Sequence, residues 1–132
     1  MKAQLLVHAL TRQIICTATG RGAIHDFMLF KQSRTYVHPE TQIKADAGYQ
    51  GIQQGHALTQ TPKKASKHHP LMPAEKAANR QLARERLPVE HVIRFIKIFR
   101  ILKGTYRHRR RRFQLRLTLL CALYNHTQAL PK

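Results

Sequence analysis

The sequence predicts an α/β fold in which helices pack on a sheet. The chain has 132 residues, of which 42% are hydrophobic, and this is enough for the core of one domain. Short aliphatic and β-branched runs occupy the N-terminal half, whereas apolar residues recur at helical spacing in the C-terminal half. The resulting order is strand, strand, helix, strand, strand, long helix and helix, with no internal repeat.

The first two elements are predicted to form a tight β-hairpin. Residues 4–11 and 13–19 are rich in aliphatic and β-branched side chains and are separated by a single polar position. A Gly-Arg-Gly sequence then ends the second strand. Asp26 precedes an apolar run beginning at Phe27, so we expect a short helix with Asp26 as its N-cap.

Two further short strands and a loop are predicted in the middle of the chain. Residues 41–45 form the third strand, which delivers Asp46 to its C-terminal end. Residues 56–60 favour a fourth strand. Residues 61–73 contain three prolines, three lysines and two histidines, a composition typical of a mobile surface loop.

The C-terminal part is predicted to be helical. Residues 74–86 have helix-forming composition, and Pro88 either interrupts that helix or starts a new one, since proline is tolerated in a first turn. Apolar residues continue at helical spacing over residues 88–103, and residues 107–112 form a basic linker to a last helix over residues 113–128. The apolar stripe of that last helix consists of Phe113, Leu117, Leu120 and Tyr124.

The charge of the chain indicates a polyanionic partner. Lys and Arg number 24 against 6 Asp and Glu, which gives a net charge of +18 at pH 7 and favours nucleic acid. No stretch approaches the roughly 20 apolar residues of a membrane-spanning helix, and the N-terminus is a poor signal peptide. Cys16 and Cys121 form no Cys-x-x-Cys motif, so we expect two buried thiols in a reducing cytoplasm.

Asp46 is one of two carboxylates that need a physical explanation. A carboxylate among apolar residues is costly unless it is paired or bound to a metal. Asp46 follows a predicted strand and precedes Gly48 and Gly51, at the edge where α/β sheets hold their ligands. The alternative is a turn-forming aspartate with Gly48 supplying a positive φ. The sequence leaves both interpretations open.

Glu90 is the second such carboxylate. If Pro88 opens a helix, Glu90 lies in the first turn, where the helix dipole favours negative charge. Arg94 then lies about 40° from Glu90 around the axis and Lys97 about 20° on the other side, so the three share one face. Such a face could bind a metal through the carboxylate and phosphates through the cations. The alternative is a solvated Glu90–Arg94 surface pair.

The residues around Asp46 and Glu90 resemble two motifs of bacterial insertion-sequence DDE transposases. Asp46-Ala-Gly48-Tyr49 is similar to the family's second-aspartate motif of Asp, any residue, Gly and Tyr. Residues 22–27 are similar to the family's segment between its third strand and first helix.

The second motif lies around Glu90. Arg86, Glu90 and Lys97 match the family's spacing of arginine, three residues, glutamate, six residues and lysine. The family also carries a tyrosine three positions before the arginine, where this chain has Ala83.

The resemblance implies an RNase H-like (retroviral-integrase) fold that carries out DNA transposition in the bacterial cytoplasm, at the nucleoid. Carboxylates of that fold hold two magnesium or manganese ions, which activate water or a DNA 3′ hydroxyl and stabilise the leaving oxygen during cleavage and strand transfer. By this resemblance Asp46 and Glu90 are catalytic metal ligands. Arg86, Arg94 and Lys97 are expected to contact the DNA of the element ends.

The third carboxylate of the family, an aspartate on the first strand, has no counterpart in the sequence. No Asp or Glu precedes Asp26, and Glu40, Glu75 and Glu85 lie in predicted loop or surface-helix segments. We therefore expect residues 1–132 to be the C-terminal part of a transposase catalytic domain, either a remnant or half of a split reading frame. The incomplete fold would lack its first central strand, leaving two sheet fragments with unpaired edges and no activity in the chain alone. Its protein partner would be the upstream half or full-length transposase.

A basic run gives the chain a second route to DNA, because each neutralised phosphate adds salt-dependent affinity. The alternative is a solvated tract with no fixed target. A different class of function, a non-catalytic DNA- or RNA-binding protein or an inhibitor of full-length transposase, also explains the charge. The expected DNA-binding residues of the run are Arg107, Arg109, Arg110, Arg111 and Arg112.

Overall fold

The computed structural model describes residues 2–98 and 110–129. Two compact units divide the chain: the hairpin unit (Met1–Ile24 with Pro88–Lys132) and the Asp46 unit (His25–Leu87). The predicted α/β order is confirmed up to the fourth strand, with short 3-10 turns at Ala47–Tyr49 and Ile52–Gln54 added before that strand. The predicted long helix is divided into two helices. The strands are β1 (Lys2–Val7), β2 (Ile14–Gly20), β3 (Ile43–Lys44) and β4 (Thr59–Gln60), and the helices are α1 (Asp26–Gln32), α2 (Pro73–Glu85), α3 (Leu87–Lys97) and α4 (Arg110–Ala129).

The predicted hairpin is present, but its first strand ends earlier than the sequence suggested. Strands β1 and β2 pair antiparallel. Beyond Val7, the Nδ1 atom of His8 accepts hydrogen bonds from the backbone N–H groups of Leu10 (3.2 Å) and Thr11 (3.1 Å), and Arg12 has a φ of 62°. A side chain that bonds its own following backbone favours a turn over a ladder. The prediction of strand up to residue 11 was therefore wrong.

Helix α4 packs on β2 through a stripe close to the predicted one. Phe113, Leu117 and Tyr124 are buried as expected, but Cys121 completes the stripe and Leu120 is only partly buried. Cys16, predicted to be buried, is also only partly covered. The helix is fixed to β2 by Asn125, whose side chain accepts from the backbone N–H of Ile14 (2.8 Å) and donates to the Ile14 carbonyl (2.9 Å).

Replacing Phe113 by alanine is expected to unfold the hairpin unit at lower denaturant concentration. Phe113 is fully buried among apolar side chains that include Val92, Ile96 and Leu117. Removing its ring should lower the free energy of unfolding by about 3–5 kcal/mol, measured by urea denaturation with circular dichroism. Leu119→Ala is the control on the same helix, since Leu119 is 61% exposed. Equal losses for the two variants would contradict this packing.

The Asp46 unit contains a second two-stranded sheet. Strands β3 and β4 run parallel, with Ile43 opposite Thr59. Both strands are shorter than predicted. His56 is buried and its ring nitrogens lie 3.0 Å from the Thr59 hydroxyl and 3.1 Å from the His38 carbonyl, so the backbone turns there and does not extend. The described residues thus form one small sheet in each unit, the number of sheet fragments expected from the sequence.

Helices α2 and α3 each have a proline in their first turn. Pro73 occupies the start of α2, and Pro88 lies in the first turn of α3, so of the two alternatives for Pro88 the start of a new helix is the one observed. Residues 99–103 of the predicted third helix lie outside the described residues. Helix α4 begins at Arg110, within the segment expected to be a linker. No helix among the described residues is long and apolar enough to cross a membrane.

Candidate metal-binding site

Asp46 lies just beyond strand β3, where it begins the short helical turn over Ala47–Tyr49. Its Oδ1 atom accepts a hydrogen bond from the backbone N–H of Gly48 at 2.9 Å. The positive φ of the segment belongs to Gly51, at 93°, and not to Gly48. Asp46 is therefore a turn-forming residue, as the alternative interpretation held, but that interpretation assigned the left-handed glycine to the wrong position.

Arg86 lies beside the other oxygen of Asp46. Its Nη2 atom is 3.8 Å from Asp46 Oδ2, and the Arg86 side chain is only 19% exposed whereas that of Asp46 is 47% exposed. Asp46 and Arg86, which are far apart in the sequence, therefore lie close together within the Asp46 unit. The distance is that of an ion pair and exceeds that of a hydrogen bond, so Oδ2 keeps room for another ligand.

A second ion pair holds the same two elements together. Lys44 Nζ, at the end of β3, lies 2.9 Å from Glu85 Oε2, at the end of α2. The hydrogen bond from Lys44, followed by that from Gln81, lowers the pKa of Glu85. Glu85 and Arg86 at the end of α2 thus each form an ion pair with a residue at the end of β3. The Lys44–Glu85 pair helps to hold Arg86 near Asp46.

Asp26 does not have the role of helix N-cap that was predicted from the sequence. The helix begins at Asp26 itself, and the N-cap is His25, which has extended backbone and makes no side-chain capping bond. The Asp26 carboxylate instead lies against Gly48, where a side chain would collide with it. The prediction of an N-cap was wrong because a tertiary contact, rather than the local helix end, sets the position of this side chain.

Tyr49 is partly buried next to two carboxylates and an arginine. Burial first, and then the negative charges of Asp26 and Asp46, raise the pKa of Tyr49 to about 12, against a smaller opposing effect of Arg86. Each of these raising effects disfavours the phenolate. Tyr49 is therefore a neutral hydrogen-bonding group at neutral pH.

The ionisation of Tyr49 is expected to weaken the fold at high pH. The folded protein holds this proton more tightly than the unfolded chain, whose tyrosine has a pKa of 10.0, so stability should fall as the pH rises from 10.0 to about 12. Ultraviolet titration of tyrosinate should show a late component that Tyr49→Phe reduces, and Tyr124 also contributes to it because burial raises the pKa of Tyr124. The control Tyr36→Phe, at a residue 78% exposed, should leave the late component unchanged. An undiminished late component in Tyr49→Phe would contradict the assignment.

Glu90 lies in the hairpin unit, in the first turn of α3 as predicted. Glu90, Arg94 and Lys97 are all exposed, while Val92 and Ile96 form the buried side of the helix. The structure records no ion pair at Glu90 among the residues it describes. Glu90 and Arg94 therefore do not form the surface ion pair of the alternative interpretation, and the Glu90 side chain is exposed to solvent.

The donor chemistry of Asp46 and Glu90 fits a hard divalent cation. Carboxylate oxygens are the ligands that Mg²⁺ and Mn²⁺ prefer, and Asp46 has one oxygen fixed by Gly48 and one without a hydrogen bond from Arg86. Within residues 2–98 and 110–129, no three His, Cys, Asp or Glu side chains lie close enough together to hold a metal. The described residues therefore offer individual ligands and not a complete set.

Three of the expected DNA-binding arginines belong to the start of α4. Arg112 is exposed in the first turn of the helix, and Arg110 and Arg111 belong to the same turn. Arg107 and Arg109 lie outside the described residues.

Sequence reasoning missed the contact of Asp26 with Gly48 and the Lys44–Glu85 pair. The Asp26–Gly48 contact had a signal in the sequence. Asp26 is one of only six acidic residues and directly precedes an apolar run, and Asp46 was singled out for the same reason, as an acid among apolar residues. No comparable signal marked the ion pair, because its partners are separated by most of the Asp46 unit.

Comparison with known proteins gives two matches. The family described as DDE superfamily endonuclease matches residues 1–125. The chain is also 48% identical over 130 residues to the probable transposase for insertion sequence element IS702 of Microchaete diplosiphon. The alignment covers 98% of this chain and 47% of that protein, so the chain spans about half the length of the curated relative it matches. No solved structure matches significantly.

Proposed function

The chain belongs to the DDE superfamily endonucleases, among the transposases of bacterial insertion sequences, and on this premise we propose that it supplies two of three metal-binding carboxylates for DNA transposition. Asp46 and Glu90 are those two ligands, and they serve cleavage and strand transfer at the ends of the element. The third carboxylate comes from an upstream segment, so the chain is inactive by itself.

The observation that supports this proposal best is the approach of Arg86 to Asp46. Arg86 belongs to the motif that continues to Glu90 and Lys97, whereas Asp46 belongs to the motif of Gly48 and Tyr49. A turn around Asp46 does not by itself bring the Arg86 side chain to 3.8 Å. A common role of Asp46 and Arg86 in phosphoryl transfer explains this contact within the Asp46 unit.

Each residue has a separate task in this proposal. The Gly48 N–H fixes Oδ1 of Asp46 and so orients Oδ2, while Arg86 limits the build-up of negative charge beside it. Glu90 lies in the first turn of α3, at the positive end of the helix dipole. Arg94 and Lys97, exposed on the same helix face, fit contacts with phosphates. Bound Mg²⁺ or Mn²⁺ supplies Lewis-acid stabilisation of the attacked phosphate and of the leaving oxygen.

The small size of the sheets supports the proposal that the fold is an incomplete RNase H-like fold. Each described sheet has only two strands, and β3 and β4 are two residues long. Sheets of this size are marginal without further strands. We infer that a further strand, supplied by an upstream segment, carries the third carboxylate.

The arginine run should contribute to DNA binding through phosphates. Replacing Arg110, Arg111 and Arg112 by glutamine should reduce the slope of log affinity against log salt by about 0.9 for each phosphate that is no longer neutralised. Fluorescence anisotropy with random duplex DNA across a salt series measures this slope. The control replaces three scattered exposed cations, Arg21, Arg34 and Lys64. An unchanged slope in the arginine variant would mean that the run is a solvated tract.

The net charge of +18 supports a second candidate, a non-catalytic nucleic-acid-binding protein or an inhibitor of full-length transposase. Mobility-shift assays with terminal-repeat and random DNA, with and without magnesium, separate these functions. Transposition predicts a magnesium-dependent preference for the repeat. A preference independent of magnesium favours the inhibitor, and equal binding to both DNAs favours a general coating protein.

A further inference from the structure

We propose that Asp26 is a positioning residue for Asp46 and that it acts through Gly48. The proposal rests on the metal-binding role proposed for Asp46. It concerns only residues of the Asp46 unit, in which helix α1 contacts the turn over Ala47–Tyr49.

The space beside Gly48 is filled by Asp26. A Cβ atom added at Gly48 would collide with Oδ2 of Asp26 and would lie 3.0 Å from its Cγ and 3.2 Å from its Cβ. The φ of Gly48 is not positive, since Gly51 is the glycine with positive φ among the described residues. The backbone at Gly48 therefore accepts any L residue, and the close approach of Asp26 is what requires glycine there.

A second residue of the same helical turn lies near the next glycine. The Cε1 atom of Phe27 lies 3.4 Å from the position of a Cβ at Gly51. Lys31 Nζ lies 4.6 Å from the centre of the Phe27 ring, and Leu29 anchors the helix in the buried interior of the unit. The first turn of α1 therefore lies close to both Gly48 and Gly51.

Asp26 can influence Asp46 because Gly48 connects them. The N–H of Gly48 is the donor that holds Asp46 Oδ1. If Asp26 is shortened, Gly48 can move into the vacated space and carry this donor with it. The Asp46 carboxylate would then lose its fixed direction, although every atom of Asp46 remains present. Partners of a metal ligand commonly affect metal affinity in this way.

The steric part of the proposal is tested by a double-mutant cycle. Gly48→Ala should strongly lower the midpoint of urea unfolding, and Asp26→Ala should recover part of this loss because it removes Oδ2 and Cγ. Recovery is partial since the Asp26 Cβ remains 3.2 Å away. If Gly48→Ala alone does not fold, recovery appears as regained amide dispersion in the double variant.

The matched control is Gly51→Ala. Its φ of 93° strains any L residue whatever space surrounds it, so neither Asp26→Ala nor Phe27→Ala should rescue it. Additive effects of Gly48→Ala and Asp26→Ala, or equal rescue of Gly51→Ala, would overturn the proposed contact.

The functional part is tested with Mn²⁺ as the probe, on the full chain. Mn²⁺ broadens amide signals of nearby residues, so the concentration that half-broadens Gly48 and Tyr49 reports local metal binding. Asp26→Ala should raise this concentration about tenfold at a temperature at which the variant is folded. Asp26→Asn keeps the shape and should stay close to the parent protein. Glu40→Ala, an exposed acid of the same unit, is the charge control. If Asp26→Ala does not fold, Asp26→Ser takes its place.

The outcomes separate this proposal from the one on which it rests. Unchanged broadening in Asp46→Asn would refute metal binding by Asp46. If Mn²⁺ binding is weaker in Asp46→Asn but unchanged in Asp26→Ala, Asp46 is a ligand and Asp26 has only a structural role. Equal weakening in Asp26→Ala and Asp26→Asn would make Asp26 itself a ligand, which also overturns the positioning role. The positioning role is supported only if Mn²⁺ binding is weaker in Asp26→Ala and stays close to that of the parent protein in Asp26→Asn.

Discussion

Asp46→Ala and Glu90→Ala are each expected to abolish metal-dependent cleavage of element-end DNA once the chain is combined with an upstream segment that carries the third aspartate. Loss of one ligand removes several kcal/mol of transition-state stabilisation, which corresponds to a rate lower by about 10³-fold or more. Cleavage of end-labelled terminal-repeat DNA in Mg²⁺ measures the rate. The described residues support the choice of positions, since Asp46 has an oxygen open to a metal and Glu90 is exposed.

The control for both variants is Glu40→Ala, which removes the same charge from an exposed loop position. It should retain the parent rate within about twofold, as surface substitutions away from special features usually have small effects. An active Asp46→Ala, Glu90→Ala double variant would show that neither carboxylate takes part. Equal losses in all three variants would point to net charge and away from specific ligands.

The isolated chain is expected to show no metal-dependent cleavage, and addition of the upstream segment is expected to restore it. The sequence has no acid before Asp26, and the described residues contain no group of three metal-ligating side chains. Two carboxylates cannot replace the third ligand in holding a metal pair. The measurement mixes purified chain, purified upstream segment and labelled terminal-repeat DNA in Mg²⁺.

A matched upstream segment whose first-strand aspartate is changed to asparagine provides the control for this restoration. It should bind the chain without restoring cleavage, because the strand remains and only the ligand is removed. Robust strand transfer by the chain alone would contradict the division of ligands between the two segments. Restoration by the asparagine segment would place the third ligand elsewhere.

Elements with strong local signals could be predicted from the sequence. The hairpin followed from two aliphatic runs, and the start of α3 followed from Pro88, which is tolerated in a first helical turn. The buried stripe of α4 was predicted at three of four positions. Cys121, and not Leu120, occupies the fourth buried position.

Features that depend on tertiary contacts could not be predicted. Strand β1 ends at Val7 because the ring of His8 bonds the turn, which no hydrophobic pattern records. Asp26 was given the local role of a cap, although its carboxylate lies against a glycine far along the chain. The pairing of Arg86 with Asp46 could be suspected only from family motifs, since nothing in their spacing brings them together.

The central claim, that Asp46 and Glu90 bind the catalytic metal, is tested most directly by changing the chemistry of the ligand. Asp46→Cys and Glu90→Cys should each be inactive with Mg²⁺ in the completed protein, because a thiolate is a poor ligand for this hard cation. Softer Mn²⁺ should restore cleavage in both variants, whereas Glu40→Cys should be active with either metal. Equal inactivity of the Asp46 and Glu90 variants in Mg²⁺ and Mn²⁺ would contradict metal ligation by these carboxylates.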